Sequence, residues 1–299
     1  MSSQPREILL TKLEGLDRMP SIPVVLTPLL NYLEQPIESL KIQRVVDLIS
    51  QDKSLAAQCL HMANSPLYGR YAEVGSVRDA VVALGMQRMR DIAVSCSVLK
   101  LFPGDQNQID PIVFWEHSMG CALVCRHFAQ KIGFPDAGKA YLAGLLHDLG
   151  ILVNLWILPK EFGAAIELAR AEAVPLHEAE LRTLGLTHCE SGELIAERWG
   201  LTADLAATVR YHHDPQNAPQ QYRALLALVS LSDLLCRMEN IGHGYSEERQ
   251  VDFVEEPAFA LLLKECPALE TFDWARFTFE LESYLDEVQR LVNQLYRTQ

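Results

Sequence analysis

The stretch AYLAGLLHDLGILVNLWIL, residues 140–158, decides how the chain is read. It is apolar over about the length of a bilayer span, yet it carries His147, Asp148 and two glycines near its middle. A membrane-spanning helix tolerates charge least at its centre, so the stretch is expected to be a buried core helix that runs into a second element. His147 lies beneath Ala143 and Ala140, with Gly144 beside them, and side chains this small let another backbone come close. Asp148 follows about 100° further round the helix.

Outward from this stretch, strand signals are almost absent and helix punctuation is frequent. The preceding helix is expected to start with Asp110 as N-cap and Pro111 in its first position, and to end before Gly133. Towards the N-terminus, Leu9, Leu10, Leu13 and Leu16 recur at helical spacing, and Val45, Val46 and Ile49 share a helix that Ser39 is placed to cap. Asp52 opens DKSLAAQCLHMA, which ends at the Asn64-Ser65-Pro66 turn, and 76–102 reads as two helices broken at Gly85. Towards the C-terminus, helices are expected at 136–149, 159–172, 175–184, 188–199, 203–213 and 222–239, followed by a loop over 240–250.

The fold class is therefore all-α, a multi-helix bundle. Turn-forming residues at 103–107 mark a boundary between an N-terminal helical lobe, 1–105, and a second helical lobe, 106–240. Acidic amphipathic helices follow over 241–299. There Phe277, Leu281, Tyr284, Val288, Leu291 and Leu295 alternate by four and three, a coiled-coil-like seam. That spacing leaves two readings open, packing on the bundle and homodimerisation through the C-terminal helix.

With 49% hydrophobic and 22% charged residues, the 299-residue chain is neither disordered nor fibrous. Its 26 Lys and Arg against 39 Asp and Glu give a net charge of −13. Such a surface repels nucleic-acid backbone and anionic lipid, so neither nucleic acid nor membrane is an expected partner. SVRDAVVALGMQRMRDIAVSC, 76–96, has helix-turn-helix spacing with Arg88 and Arg90 on its second helix, but it is scarcely basic and reads better as two core helices. The N-terminus lacks the uninterrupted apolar region and cleavage site of a signal peptide. Seven scattered cysteines with no CxxC fit reduced thiols, and a cytoplasmic location is expected.

The histidines fall on helix faces in a pattern. His117 shares an inward stripe with Val113, Cys121, Val124 and Phe128. A capping box from Thr187 to Glu190 puts His188 in a first turn, aligned with Gly192, Ile195 and Trp199. His212 and His213 end a helix before Pro215. Asp233 interrupts the apolar run LLALVSLSDLL, where a charge needs a cation or a partner such as Arg237 one turn on. Singly, each has an ordinary structural explanation. Together, His117, His147, Asp148, His188, His212, His213 and Asp233 form the donor set that Fe, Mn or Zn takes, as one ion or two. Adjacent His212 and His213 diverge by about 100° and both reach one site only if it is wide, as with two metals or a metal and a phosphate. His61, His127, His177 and His243 do not fit the pattern and read as surface or capping residues.

The order His117, His147-Asp148, His188, His212-His213, Asp233 resembles the HD superfamily of metal-dependent phosphohydrolases, in particular its binuclear cyclic-di-GMP phosphodiesterase branch. IPVVLTPLLNYLEQP, VVDLISQDKSLAAQCLHMANSPLYG, SVRDAVVALGMQRMRDIAV, GLLHDLGILV and THCESGELIAERWGL narrow the likeness to the HDOD family, the HD-related output domains, over roughly residues 18–235. The resemblance implies a signal-transduction or regulatory module, with an HD-like second lobe, often coupled to response-regulator or cyclic-dinucleotide signalling. Three positions depart from the phosphodiesterase pattern. Ile151 stands where active relatives carry Lys, DPQNAPQQY after His213 lacks a Gly-Tyr-Pro loop, and Val113 replaces a Glu one turn before His117.

The reading is thus a non-catalytic HDOD module acting through a signalling-protein partner or a small phosphorylated ligand, with a divalent metal or none. The alternative is a phosphohydrolase acting on a nucleotide or cyclic dinucleotide, with Asp148 as catalytic residue. No receiver pocket or cyclase motif is visible, so input is expected from a separate protein or ligand.

Overall fold

The computed structural model describes residues 11, 27–29, 41–68, 73–99, 101, 109–244 and 252–297. Every regular element among them is helical and none is a strand. The helix expected around Leu9–Leu16 and the Ser39 cap fall outside the described residues. The chain divides into two compact units, one of Pro20–Phe102 with Glu280–Gln299, the other of Met1–Met19 with Pro103–Phe279.

In the first unit, α1 (Ile42–Ser50) opens behind Lys41, whose side chain makes no cap. α2 (Lys53–Ala63) is capped by Asp52, which accepts from the Ser54 and Leu55 amides at 2.8 and 3.0 Å. α3 (Val77–Leu84) and α4 (Met86–Leu99) are separated by Gly85 at φ 85°, a conformation that glycine adopts without a Cβ clash. α4 is buried continuously from Met89 to Leu99. Its Arg90 is buried against Asp91 at 2.9 Å, while Gln87 and Arg88 in the first turn are exposed.

In the second unit, α5 (Pro111–Ile132) follows its terminal signals: the Asp110 carboxylate takes the Ile112 amide at 2.8 Å, and Gly133 closes the helix at φ 70°. The expected single helix over 136–149 is instead cut. α6 (Ala137–Leu146) stops before His147, and α7 (Leu149–Ile157) starts after Asp148, which has φ −95° and ψ 17°. The two together are apolar and long enough to cross a membrane, and 94% of that window is buried inside the protein. α8 (Pro159–Glu172), α9 (Leu176–Thr183), α10 (His188–Arg198), α11 (Ala203–Tyr211), α12 (Arg223–Met238) and α13 (Pro257–Glu265) complete the unit.

Two close crossings position the site. α6 meets α5 at Gly144, where an added Cβ would lie 2.7 Å from Cys125 Sγ and 2.8 Å from the Cys121 carbonyl. α7 meets α10 glycine to glycine: a Cβ on Gly150 would overlap the His188 carbonyl and lie 2.7 Å from the Gly192 amide. These approaches draw His117, His147, Asp148 and His188 towards one point.

α14 (Trp274–Arg297) begins in the second unit, where Trp274 and Phe277 join Phe128, Phe253, Phe259 and Phe272 in an aromatic cluster. Phe277, Leu281, Val288, Leu291 and Leu295 of the expected seam are buried. The stripe also takes in Leu285 and Val292, while Tyr284 is at the margin with 36% exposure. A straight helix of 3.6 residues per turn drifts from a 3.5-residue seam, which moves the buried position from 284 to 285.

Candidate metal centre

Four imidazoles are held from behind. Nδ1 of His117 donates to the Ile241 carbonyl at 2.8 Å, Nδ1 of His147 to the Gly144 carbonyl at 2.8 Å, and Nδ1 of His212 to the Val209 carbonyl at 3.1 Å. A carbonyl only accepts, so Nδ1 carries the proton and Nε2 is left facing inward. Nδ1 of His188 meets Glu180 Oε2 at 2.7 Å, and the same oxygen accepts the His188 amide at 2.8 Å. Glu180 is itself held by Asn154 Nδ2 at 3.0 Å, and Asn154 by the Ser191 hydroxyl at 2.6 Å. Metal-binding imidazoles are oriented by such outer partners.

The inward nitrogens converge on Asp148. Its Oδ2 lies 3.4 Å from His117 Nε2 and 3.2 Å from His147 Nε2, while Oδ1 lies 3.4 Å from Nε2 of both His188 and His212. Asp233 Oδ1 is 3.3 Å from His117 Nε2, and Arg237 holds that carboxylate with Nε at 3.1 Å and Nη2 at 2.9 Å. His213 reaches only the far side, its Nε2 3.2 Å from that of His188. The seven residues singled out in the sequence thus meet in one cluster, with Asp148 facing a set on each of its oxygens.

The cut between α6 and α7 makes this possible. His147 and Asp148 sit at the junction, where the carboxylate is outside either helical ladder and makes no N-cap bond. His147 Nε2 and Asp148 Oδ1 are buried without a hydrogen bond. Buried polar atoms are ordinarily satisfied, and nitrogen lone pairs 3.2–3.4 Å apart need a proton or a cation between them. The donor set fits one or two divalent ions.

Protons are the alternative occupants, and the electrostatics show how hard the cluster draws positive charge. Burial opposes charge on His117, yet hydrogen bonds with Asp148 and Asp233 hold its pKa well above the ordinary value. His188 is likewise raised against burial, by Glu180 and Cys189, and His212 is raised to about 10 by Cys189 and Asp148. Asp148 and Asp233 are pulled well down despite burial, Asp148 by His147, His117 and His212, and Asp233 first by Arg237. His213 moves the other way, lowered by burial and by the charges of His212 and His177.

Four participants escaped the sequence reading. His243 is not a surface residue: it is 9% exposed, its Nε2 bonds Asp148 Oδ2 at 2.9 Å, and its ring lies 4.6 Å from that of His117. It arrives from a loop, where no periodicity marks an inward side chain. His177 is partly exposed and stacks on His213 at 4.2 Å, its pKa lowered to about 3 by burial and neighbouring charge. Glu180 was legible, lying four residues from both Leu176 and Leu184 on an inward stripe. Cys189, adjacent to His188, has its Sγ 3.9 Å from His212 Nδ1. Burial pushes its thiol up, but His212 and His188 bring it down to about 6. His61, in the last turn of α2, is exposed as expected, and His127 stacks on Phe277 at 5.3 Å.

A family model described as HDOD domain matches residues 19–215. The crystal structure of an HDOD domain protein with unknown function from Geobacter sulfurreducens is similar at 30% identity and TM-score 0.84, over 98% of each chain. A chain from Shewanella amazonensis SB2B, named provisionally as a phosphohydrolase, is 25% identical with TM-score 0.73, over 96% of this chain and 98% of its own. An uncharacterized protein of Treponema pallidum (strain Nichols) is 24% identical over 225 residues, 75% of this chain and 43% of that protein. Ribonuclease Y of Deinococcus radiodurans is 26% identical over 162 residues, 52% of this chain and 23% of the enzyme. The chain spans less than half the length of these two curated relatives.

Proposed function

The chain belongs to the HDOD family, and from that premise we propose that it is a regulatory module whose buried metal centre holds the fold in a signalling-competent state rather than turning substrate over. The observation that carries this reading is the burial of all but one of the seven cluster residues, His213 being partly exposed. His117, His147 and His212 are fully buried, His188 is 1% exposed, and Asp148 and Asp233 are 2% exposed. A phosphodiester must reach the ions that activate its water, and its developing charge needs basic groups beside it. Ile151, where active relatives carry Lys, is fully buried, and Arg237 is already engaged by Asp233. Output would then pass to a signalling-protein partner or through a small phosphorylated ligand. The seven cysteines form no disulfide, which supports the reading of a reducing, cytoplasmic setting.

A phosphohydrolase reading is favoured by one feature, the Asp148 carboxylate shared between two imidazole sets. The deciding experiment assays the full chain with Mn²⁺ and Fe²⁺ against cyclic dinucleotides, a nucleoside monophosphate and an RNA oligonucleotide, beside Asp148→Ala. The regulatory reading expects metal retention that Asp148→Ala abolishes and no turnover. Turnover that Asp148→Ala removes would overturn it and make the protein an HD phosphohydrolase.

A further inference from the structure

The chain passes from one compact unit to the other after Met19, after Phe102 and after Phe279. The first two passages fall at a proline, Pro20 and Pro103, the second followed by Gly104. Such residues ordinarily mark a flexible boundary. The third passage falls inside α14, which runs unbroken from Trp274 to Arg297 and contains no glycine or proline. Its buried positions Phe277, Leu281, Leu285, Val288, Val292 and Leu295 keep a spacing of three and four straight through the passage, and from Leu281 on they are at most 3% exposed. In the second unit, the Phe277 ring lies 5.2 Å from that of Phe128 and stacks on His127 at 5.3 Å, both on α5. Phe128 is eleven residues from His117, about 16 Å along the same face of that helix.

From this arrangement we propose that α14 is a tie that makes the two units unfold and respond together, so that a change at the metal centre passes along α5 from His117 to Phe128, into Phe277, and on to the core of the first unit. A continuous hydrogen-bonded helix is a rigid element that can carry such coupling, whereas a Pro- and Gly-bearing linker absorbs motion. One unbroken apolar stripe adds to this: a turn or slide of Phe277 carries Leu281 to Leu295 with it, because the helix keeps a single register. Phe279, at the passage itself, is 75% exposed. The backbone ladder, and not the packing of that side chain, therefore holds α14 together there. The tie rests on α14 alone, and its use to carry a signal rests on the regulatory reading.

The test reads the two units separately. Trp115, Trp156, Trp199 and Trp274 all belong to the second unit, so tryptophan fluorescence reports that unit, while hydrogen exchange in α2 and α4 reports the first. Urea titration of the full chain should give one midpoint by both readouts for wild type and for Phe279→Ala, which keeps the helix. Phe279→Gly, which loosens the ladder, should open a gap between the two midpoints. Phe279→Pro, which loses the bond to the Ala275 carbonyl and clashes with it, should widen that gap. Midpoints that differ in wild type, or that stay together in the glycine and proline variants, would overturn the proposal, and the glycine variant keeps the test in force if the proline variant does not fold. Mn²⁺ added to the chelator-stripped chain should slow exchange in α2 and α4 of the wild type several-fold, and less in Phe279→Gly. Mn²⁺ bound with no change in first-unit exchange would overturn the relay. A folded chain that takes up no Mn²⁺ would overturn the regulatory reading instead, and the urea midpoints would still decide the tie.

Discussion

Asp148 works as a two-oxygen hub because four of the imidazoles around it have their rear nitrogens committed elsewhere, so the groups behind the rings matter as much as the rings. Glu180 gives His188 both orientation and basicity through one oxygen. Replacing it by Gln keeps the shape and removes the charge, and loss of such an outer partner is worth about 10- to 100-fold in metal affinity. Glu180→Gln is accordingly expected to weaken Zn²⁺ or Mn²⁺ binding by that factor in a chelator-competition titration, with an unchanged circular dichroism spectrum. Away from the centre, Asp204 has its carboxyl lowered: burial opposes the charge, but Lys139 and Thr202 hold it. A depressed folded-state pKa contributes stability above the unfolded value near 3.8, and that contribution disappears as pH falls through the folded value. The stability difference between wild type and Asp204→Asn should therefore shrink on acidification below about pH 4. With Lys139 41% exposed, its size at neutral pH should be no more than about 1 kcal/mol in urea denaturation.

At the scale of elements, the α6–α7 cut and the two glycine crossings decide the site. α5 could be read from its ends, since Asp110, Pro111 and Gly133 supply local hydrogen bonds and dihedrals that need no tertiary partner. The cut could not. Residues 137–157 are helix-forming throughout, and the junction is set by the packing of α7 on α10, where the Gly150 Cα approaches the His188 carbonyl. Gly150→Ala should force those helices apart, costing about 1–3 kcal/mol or more. Metal should be lost with it, because His188 moves with its backbone. Chemical denaturation and metal analysis of the same sample check both, and an alanine variant with full metal and stability would show the crossing to be slack. Loop residues follow the opposite rule: His243 takes its place from the turn around Asn240, at φ 61°, and Gly244, at φ 81°, where side-chain direction has no period to read.

For the whole molecule, the spacing of the C-terminal seam read first as a helix packed on the bundle, with a dimer as the competing reading. Its apolar positions are buried within the chain, with Val288 and Leu281 at 0% exposure. A charge placed there loses hydration without a partner, so Val288→Asp should lower the melting temperature by many degrees and leave the oligomeric state by sedimentation unchanged. Intact melting with a loss of dimer would make the seam an interface instead. The sequence by itself determined the helical class, most helix boundaries and seven residues that meet in one cluster, because capping chemistry and 3.6-residue periodicity are local properties of the chain. Only the tertiary structure decided that Asp148 presents one oxygen to each of two imidazole sets, that His243 and Cys189 join them, and that all of the seven but His213 are buried. Those facts depend on where backbones cross within a few ångströms, a distance that spacing along one helix does not encode.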